Sequence, residues 1–129
     1  ATAVERCKGR FAGDSSKRFA LLDAYAGEQA DLALSLDVIY HLVEDEVFGA
    51  YMNRLFSAAK RYVVIYSSNH DDDFGGDTHV RHRKFTTWVE ERLTGWELFR
   101  EVPNAYPWIP GCEEGSLADF YFYRRSPRD

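Results

Sequence analysis

Residues 30–42 read ADLALSLDVIYHL, and this stretch decides the fold. Apolar side chains fill every position but one from Leu32 to Leu36. A strand of this composition is typical of a parallel sheet, in which helices cover both faces. Asp37 ends the apolar run, and the side chains of Tyr40 and His41 follow closely. The stretch therefore predicts a buried parallel strand with polar, titratable groups at its carboxyl end.

A helix and a second strand come directly after this stretch. From Glu44 to Arg61 apolar residues recur every three or four positions, with acidic residues in the first turn and basic residues in the last. This charge arrangement is favoured by the helix dipole. The residues YVVIYS, Tyr62 to Ser67, are β-branched and aromatic and predict another strand. Strand, helix and strand in this order predict a parallel βαβ unit with a right-handed crossover.

The rest of the chain extends this unit on both sides. Thr87 and Glu90 have the spacing of a capping box and predict the start of a helix that ends near Gly95. The other predicted elements are a helix from Ala3 to Phe11 and strands from Arg18 to Leu22, from Trp96 to Val102 and from Leu117 to Tyr123. The order predicts one α/β domain over residues 1–129, with a doubly wound, mostly parallel sheet that gains an antiparallel strand late in the chain.

Composition excludes several classes of protein. The 129 residues carry a net charge of −5, which gives no broad basic surface for nucleic acid. The two cysteines are far apart in sequence, so neither a disulfide framework nor a zinc knuckle is expected. No apolar run approaches the roughly 20 residues that cross a bilayer. We expect a cytoplasmic protein that acts on small molecules, without a membrane or nucleic-acid partner.

Two segments carry a resemblance to a known family. The run SLDVIYHLVEDEVFGAYMNRLFSAAKRYVVIYSSN and the later run HVRHRKFTTWVEERLTGWELFREVPNAYPW resemble the C-terminal two-thirds of bacterial class I S-adenosylmethionine-dependent methyltransferases. The resemblance implies a Rossmann-like sheet and methyl transfer to a small-molecule or sugar-like acceptor. It makes residues 18–22 the family's third strand, residues 31–36 its fourth and residues 62–67 its fifth, followed by a closing hairpin.

The chain departs from this family at its beginning. The family's first strand is followed by a Gly-rich cofactor loop, and none of the nine glycines here forms such a motif. The family's first two strands are therefore expected to be absent, which leaves the edge of the fourth strand open. An open apolar edge invites pairing with another chain. We expect a fragment of a longer protein that alone binds S-adenosylmethionine weakly or not at all, with a homodimer through this edge as the other outcome.

The resemblance also implies roles for individual residues. Asp23 is expected to hold the adenine amino group, and Leu36 and Asp37 are expected to lie beside the methionine part of the cofactor. Tyr40 and His41 are expected to face the acceptor. An imidazole titrates near neutral pH, which makes His41 the predicted general base. A turn-forming role explains Asp23 equally well. For the other residues the structural alternative is that Asp37 and His41 cap the loop and the helix that follows, while Tyr40 packs.

The segment His79 to Lys84, HVRHRK, is the only basic cluster in this acidic chain. It follows a strand through a loop rich in Asp and Gly, so His79, Arg81 and His82 are predicted to close over an anionic or hydroxylated acceptor. A solvated, basic entry to the next helix is the structural alternative.

Two other functions use the same residues differently. His70, Asp71, Asp73, Asp77, His79 and His82 include ligand types for a divalent ion, which would suit a metal-dependent hydrolase. The spacing lacks the helical i, i+4 geometry of a zinc pair, so no metal is predicted. The other function is a binding or assembly module without catalysis, favoured by the open sheet edge and by the proline-broken, aromatic stretch from Tyr106 to Pro110.

Overall fold

The structure is a computed structural model that describes residues 2–72 and 78–127. Its helices are α1 (Thr2–Arg10), α2 (Asp45–Ser57) and α3 (Phe85–Arg92), and its strands are β1 (Ala30–Leu36), β2 (Ala59–Ser67), β3 (Trp96–Val102) and β4 (Asp119–Arg125). Single turns of 3₁₀ helix lie at Leu22–Ala24 and Ile39–His41. No helix in these two ranges is long and apolar enough to cross a bilayer.

The four strands form one mixed sheet in the order β1-β2-β4-β3. β1 pairs with β2 in parallel, whereas β4 lies between β2 and β3 and is antiparallel to both. Three strands therefore run in one direction, and the last strand of the chain runs against them. The predicted α/β class is confirmed, including the βαβ unit and the late antiparallel strand.

The predicted strand at Arg18 to Leu22 is wrong. These residues have no strand partner, and the chain there leads into the 3₁₀ turn at Leu22–Ala24. A strand exists only where a neighbour takes up its backbone hydrogen bonds. Local contacts hold this segment instead: Arg18 lies 2.6 Å from a carboxylate oxygen of Glu28, and the Tyr25 hydroxyl donates to the Glu28 carbonyl at 2.6 Å.

Two helix boundaries also differ from the prediction. α2 ends at Ser57 rather than Arg61, because Ala59 already pairs with Ala30 of β1. α3 begins at Phe85, so the capping box predicted at Thr87 is not formed. The backbone amides at the start of α3 donate to side chains far back in the sequence. Asp71 accepts from the Lys84 amide at 2.9 Å, and Asn69 accepts from the Thr86 amide at 3.2 Å. These caps come from the β2–α3 connection, which sequence spacing does not reveal.

The core fills one face of the sheet. Large apolar side chains of α2 and α3 pack there against alternate residues of β2 and β4, with edge-to-face ring pairs at Phe56–Tyr123 and Phe85–Tyr121. The largest fully buried members are Met52, Phe56, Val63, Ile65, Phe85, Val89 and Tyr123.

The opposite face of the sheet is open at β1. Leu32, Leu34 and Leu36 of β1 are exposed by 45%, 54% and 49%, and Ser35 is the only buried residue of β1. The expectation that helices cover both faces of this strand is therefore not met by the described residues. β1 is also the edge of the sheet, so the strand is open both along its edge and on one face.

Candidate functional site

A tight turn follows the carboxyl end of β1. Asp37 has a φ of +56°, a left-handed conformation that Asp tolerates better than most residues. Its amide donates to the Tyr66 carbonyl at 3.0 Å, which fixes the turn to β2. The Tyr40 hydroxyl donates to Oδ1 of Asp37 at 2.8 Å. Asp37 and Tyr40, predicted as neighbours of one site, are thus in direct contact.

The hydroxyl of Tyr40 is not a proton acceptor at neutral pH. Burial, helped by the hydrogen bond to Asp37, raises the pKa of Tyr40 to about 12. The phenol therefore stays protonated and donates to the carboxylate. The hydrogen bond fixes the position of the Tyr40 hydroxyl beside Asp37.

Two histidines flank the ring of Tyr40. The centroid of the His41 ring lies 4.4 Å from that of Tyr40, and His41 is exposed at the end of a 3₁₀ turn. The centroid of the His82 ring lies 6.2 Å away on a nearly parallel plane. His82 also stacks on His70 at 4.5 Å, and its Nδ1 lies 2.7 Å from Oγ of Ser68. The β2–α3 connection therefore approaches the turn after β1.

A cleft of about 370 Å³ opens beside these rings. One wall comes from the turn after β1 and from the β2–α3 connection, and the other from residues 103–118, the strap that joins β3 to β4. The lining residues are Tyr40, Ser68, Val80, His82, Trp108, Gly115, Ser116, Leu117 and Ala118. His41 is not among them, although it touches Tyr40. A cleft at the carboxyl end of parallel strands is where open α/β sheets bind ligands.

Hydrogen bonds fix the strap over the sheet. The Asn104 side-chain amide donates to the Tyr66 hydroxyl at 2.6 Å, and that hydroxyl donates to Oγ of Ser116 at 3.0 Å. Within the strap, the Trp108 amide donates to the Ser116 carbonyl at 2.9 Å, and the Ser116 amide donates to the Tyr106 carbonyl at 2.9 Å. These hydrogen bonds hold the strap in a fixed position as one wall of the cleft. The sequence predicted no regular structure in this segment because of its prolines.

The basic cluster, His79 to Lys84, makes more contacts within the chain than the sequence predicted. Arg81 lies 3.0 Å from a carboxylate oxygen of Asp45 and its amide donates to the Tyr40 carbonyl at 2.8 Å. Its side chain is still 41% exposed. His79 is exposed and, unlike His82, does not line the cleft. Of the three predicted acceptor-binding residues, only His82 reaches the cleft.

Arg83 is the residue that sequence reasoning missed. Its guanidinium donates to the carbonyls of Leu42 and Val43 at 2.7 and 2.6 Å and lies 4.5 Å from the centroid of the Phe48 ring. It also bonds to Asp45, and this bond is the main reason that the pKa of Asp45 is lowered. With a side chain only 13% exposed, Arg83 ties the β2–α3 connection to the residues after Tyr40. The sequence signal that could have pointed to Arg83 was its position two residues after Arg81 in the same basic cluster.

The remaining predicted residues are separated from the cleft. Leu36 is the last residue of β1 and adjoins Asp37, whereas Asp23 lies in the 3₁₀ turn at Leu22–Ala24 and does not line the cleft. In the described ranges no three His, Cys, Asp or Glu side chains form a metal-binding group, and Asp73 and Asp77 lie outside those ranges.

Comparison with known proteins identifies the fold. No protein-family model matches the chain, and no curated protein sequence does. Two crystal structures of magnesium protoporphyrin IX methyltransferase (ChlM) from Synechocystis PCC 6803 are similar to it, each with 15% sequence identity over 95% of this chain. The TM-score is 0.58 for the structure with bound SAM and 0.63 for that with bound SAH. The chain has the class I methyltransferase fold.

The match covers only part of each ChlM chain. The chain spans 52% and 59% of the two ChlM chains. The βαβ unit and the closing hairpin agree with the predicted resemblance, and residues 18–22 are the one predicted strand that is missing.

Proposed function

We propose that the protein to which these residues belong transfers a methyl group from S-adenosylmethionine to a small-molecule or sugar-like acceptor. The observation that carries the proposal is the turn after β1, where Asp37 holds a left-handed backbone at the ligand edge of a methyltransferase sheet. Its carboxylate suits a cationic ligand, and the half-exposed Leu36 beside it offers apolar contact. ChlM, with the same fold, was crystallised with SAM and SAH.

The residues of this chain would share the work of binding. Leu36 and Asp37 would hold the methionine end of the cofactor, and Asp23 the adenine, once polypeptide added to β1 brings the two segments together. The cofactor, when bound, supplies the methyl group. The acceptor would lie in the cleft between Tyr40 and the strap, where His82 lines the wall. The predicted base, His41, adjoins the Tyr40 ring.

We further propose that the open side of β1 takes up the remainder of the domain. Parallel strands are normally covered on both faces, and here three leucines of β1 are about half exposed. Polypeptide that adds a strand and helices there would also supply the Gly-rich loop. The 129-residue chain alone should therefore bind S-adenosylmethionine weakly or not at all.

Calorimetric titration with S-adenosylmethionine tests this function. A natural form extended before Ala1 should bind it, and Asp37→Asn should weaken binding by about tenfold or more, since Asn also tolerates the left-handed backbone while removing the charge. Glu46→Gln, on the exposed first turn of α2, is the matched control and should leave affinity unchanged. Equal affinities for the extended form and both variants would contradict the role of Asp37.

The open edge also favours a second function, assembly without catalysis. A second copy of the chain pairing along β1 would cover the exposed leucines. Light scattering during gel filtration should then show a dimer, and Leu34→Glu should convert it to a monomer. A monomer for the unaltered chain would remove this alternative.

A further inference from the structure

We propose that Tyr66 joins the two sides of the site, so that a ligand bound at the turn after β1 also holds the strap in place. This inference deepens the proposed function and rests on it for the identity of that ligand, S-adenosylmethionine. It assigns a positioning residue, and it makes the cofactor turn and the acceptor wall of the cleft stabilise each other.

The backbone of Tyr66 supports the cofactor side. Tyr66 forms the last register pair between β1 and β2, opposite Leu36, and its carbonyl accepts from the Asp37 amide at 3.0 Å. This bond closes the turn in which Asp37 has a φ of +56°. A left-handed backbone persists at a residue with a side chain only where its surroundings hold it. The Tyr66 carbonyl is therefore part of what keeps Asp37 at the end of β1.

The side chain of Tyr66 supports the acceptor side. Its hydroxyl accepts from the Asn104 side-chain amide at 2.6 Å and donates to Oγ of Ser116 at 3.0 Å. Asn104 and Ser116 lie near opposite ends of the strap, so one hydroxyl ties both ends to β2. The Tyr66 ring packs against Phe120 with 4.5 Å between centroids, which limits the freedom of the phenol.

Further bonds carry this tie along the strap. Asn104 also donates to the Ala118 carbonyl at 3.0 Å and accepts from the Tyr106 amide at 2.9 Å. Oγ of Ser116 also accepts from the Ala118 amide at 3.0 Å. Hydrogen bonds that share partners in this way form a coupled network, in which the loss of one weakens the next. Removal of the phenol hydroxyl is therefore expected to loosen the strap as a whole.

Both connections pass through one residue at the centre of the sheet. At Tyr66, β2 is paired with β1 on one side and with Phe120 of β4 on the other. A movement that breaks the bond between Asp37 and Tyr66 therefore also displaces the hydroxyl that holds the strap. A ligand that fixes the turn makes this movement rarer, and the open state of the strap is then less populated.

Amide hydrogen exchange tests the coupling on the 129-residue chain without a ligand. The Trp108 and Ser116 amides report opening of the strap, since both donate to carbonyls within it. Asp37→Val should speed their exchange about fivefold, because a β-branched side chain disfavours the left-handed turn. Asp37→Asn, which tolerates this backbone, should leave their exchange unchanged. If Asp37→Val does not melt as a folded protein, Asp37→Ala replaces it with less strain.

Tyr66→Phe removes only the hydroxyl and should also speed exchange at Trp108 and Ser116 about fivefold. Tyr62→Phe, at an exposed position of the same strand, is the matched control and should not. Because Asp37→Val acts on the strap through the Tyr66 hydroxyl, adding it to Tyr66→Phe should produce little further increase. Effects that multiply to about 25-fold in the double variant would refute the coupling.

S-adenosylmethionine tests the same coupling in the natural form extended before Ala1. Saturating S-adenosylmethionine should slow exchange of the strap amides about fivefold or more in the unaltered protein. Tyr66→Phe keeps the carbonyl that accepts from Asp37, so it should bind S-adenosylmethionine in calorimetry and lose the slowing. Equal slowing in both proteins, or none in an unaltered protein that binds S-adenosylmethionine, would overturn the inference.

The outcomes separate this inference from the proposed function. An extended protein that fails to bind S-adenosylmethionine would remove the methyl donor, whereas the coupling stands or falls on the double variant of the 129-residue chain. An extended protein that binds S-adenosylmethionine, combined with multiplying effects in that double variant, would keep the donor site and refute the role of Tyr66. Thermal melting of each variant reports whether the fold is intact.

Discussion

Gly115 should be indispensable to the wall of the cleft. It has a φ of +134°, and a Cβ added there would lie 2.7 Å from the carbonyl oxygen of Pro107 and 2.8 Å from Cα of Trp108. Both contacts are to backbone, so no side-chain rotation relieves them. Replacement by Ala therefore imposes an unfavourable backbone conformation and a steric overlap together. We expect Gly115→Ala to push the backbone at position 115 away from the backbone of Pro107 and Trp108, which lie against it in the strap.

The magnitude follows from these two terms. A side chain in a sparsely populated backbone region costs about 1–3 kcal/mol. Overpacking adds about 1–3 kcal/mol. The strap can also relieve the overlap by detaching, which breaks the two backbone hydrogen bonds between Ser116 and its partners. The free energy of this local opening sets an upper limit on the loss of global stability. These bonds are worth about 1 kcal/mol each. We therefore expect a global loss of about 2 kcal/mol, with the strap opening first.

Gly111→Ala is the matched control. Gly111 also has a positive φ, +86°, but a Cβ there meets no atom within 4 Å. Its cost should be the backbone term alone, about 1–2 kcal/mol. Urea denaturation measures the global difference, and amide hydrogen exchange at Trp108 and Ser116 reports opening of the strap. Equal stability and equal exchange in the two variants would refute the argument that close approach fixes Gly115.

Three further substitutions test other features. Arg83→Lys loses the paired bonds to two carbonyls and should cost about 1–3 kcal/mol in urea denaturation, more than Arg81→Lys, whose side chain is 41% exposed. Tyr40→Phe should reduce the fall in the free energy of unfolding at alkaline pH. Because the pKa of Tyr40 is raised in the folded protein, its contribution to stability is complete below pH 10 and is lost as the pH rises toward about 12. Phenolate absorbance checks this window. Gly49→Ala, inside α2 with its nearest contact an ordinary 3.8 Å to Trp88, should raise stability by about 0.5–1 kcal/mol in thermal melts.

Local pattern predicted the elements better than their ends. The apolar run before Asp37 and the helical periodicity after it were sufficient for the βαβ unit, since both signals are contained in neighbouring residues. The end of α2 was missed because pairing with β1 draws Ala59 into β2. The start of α3 was missed because its caps, Asn69 and Asp71, come from the connection after β2.

The sequence by itself determined the α/β class, the late antiparallel strand and the placement of Asp37, Tyr40 and His41 after a strand. Only the tertiary structure decided that residues 18–22 are no strand, that His82 rather than His41 lines the cleft, and that Arg83 joins two connections. The physical reason is that strands and clefts require partners distant along the chain. Hydrophobic periodicity records which side of an element is apolar, but not which segment will lie against it.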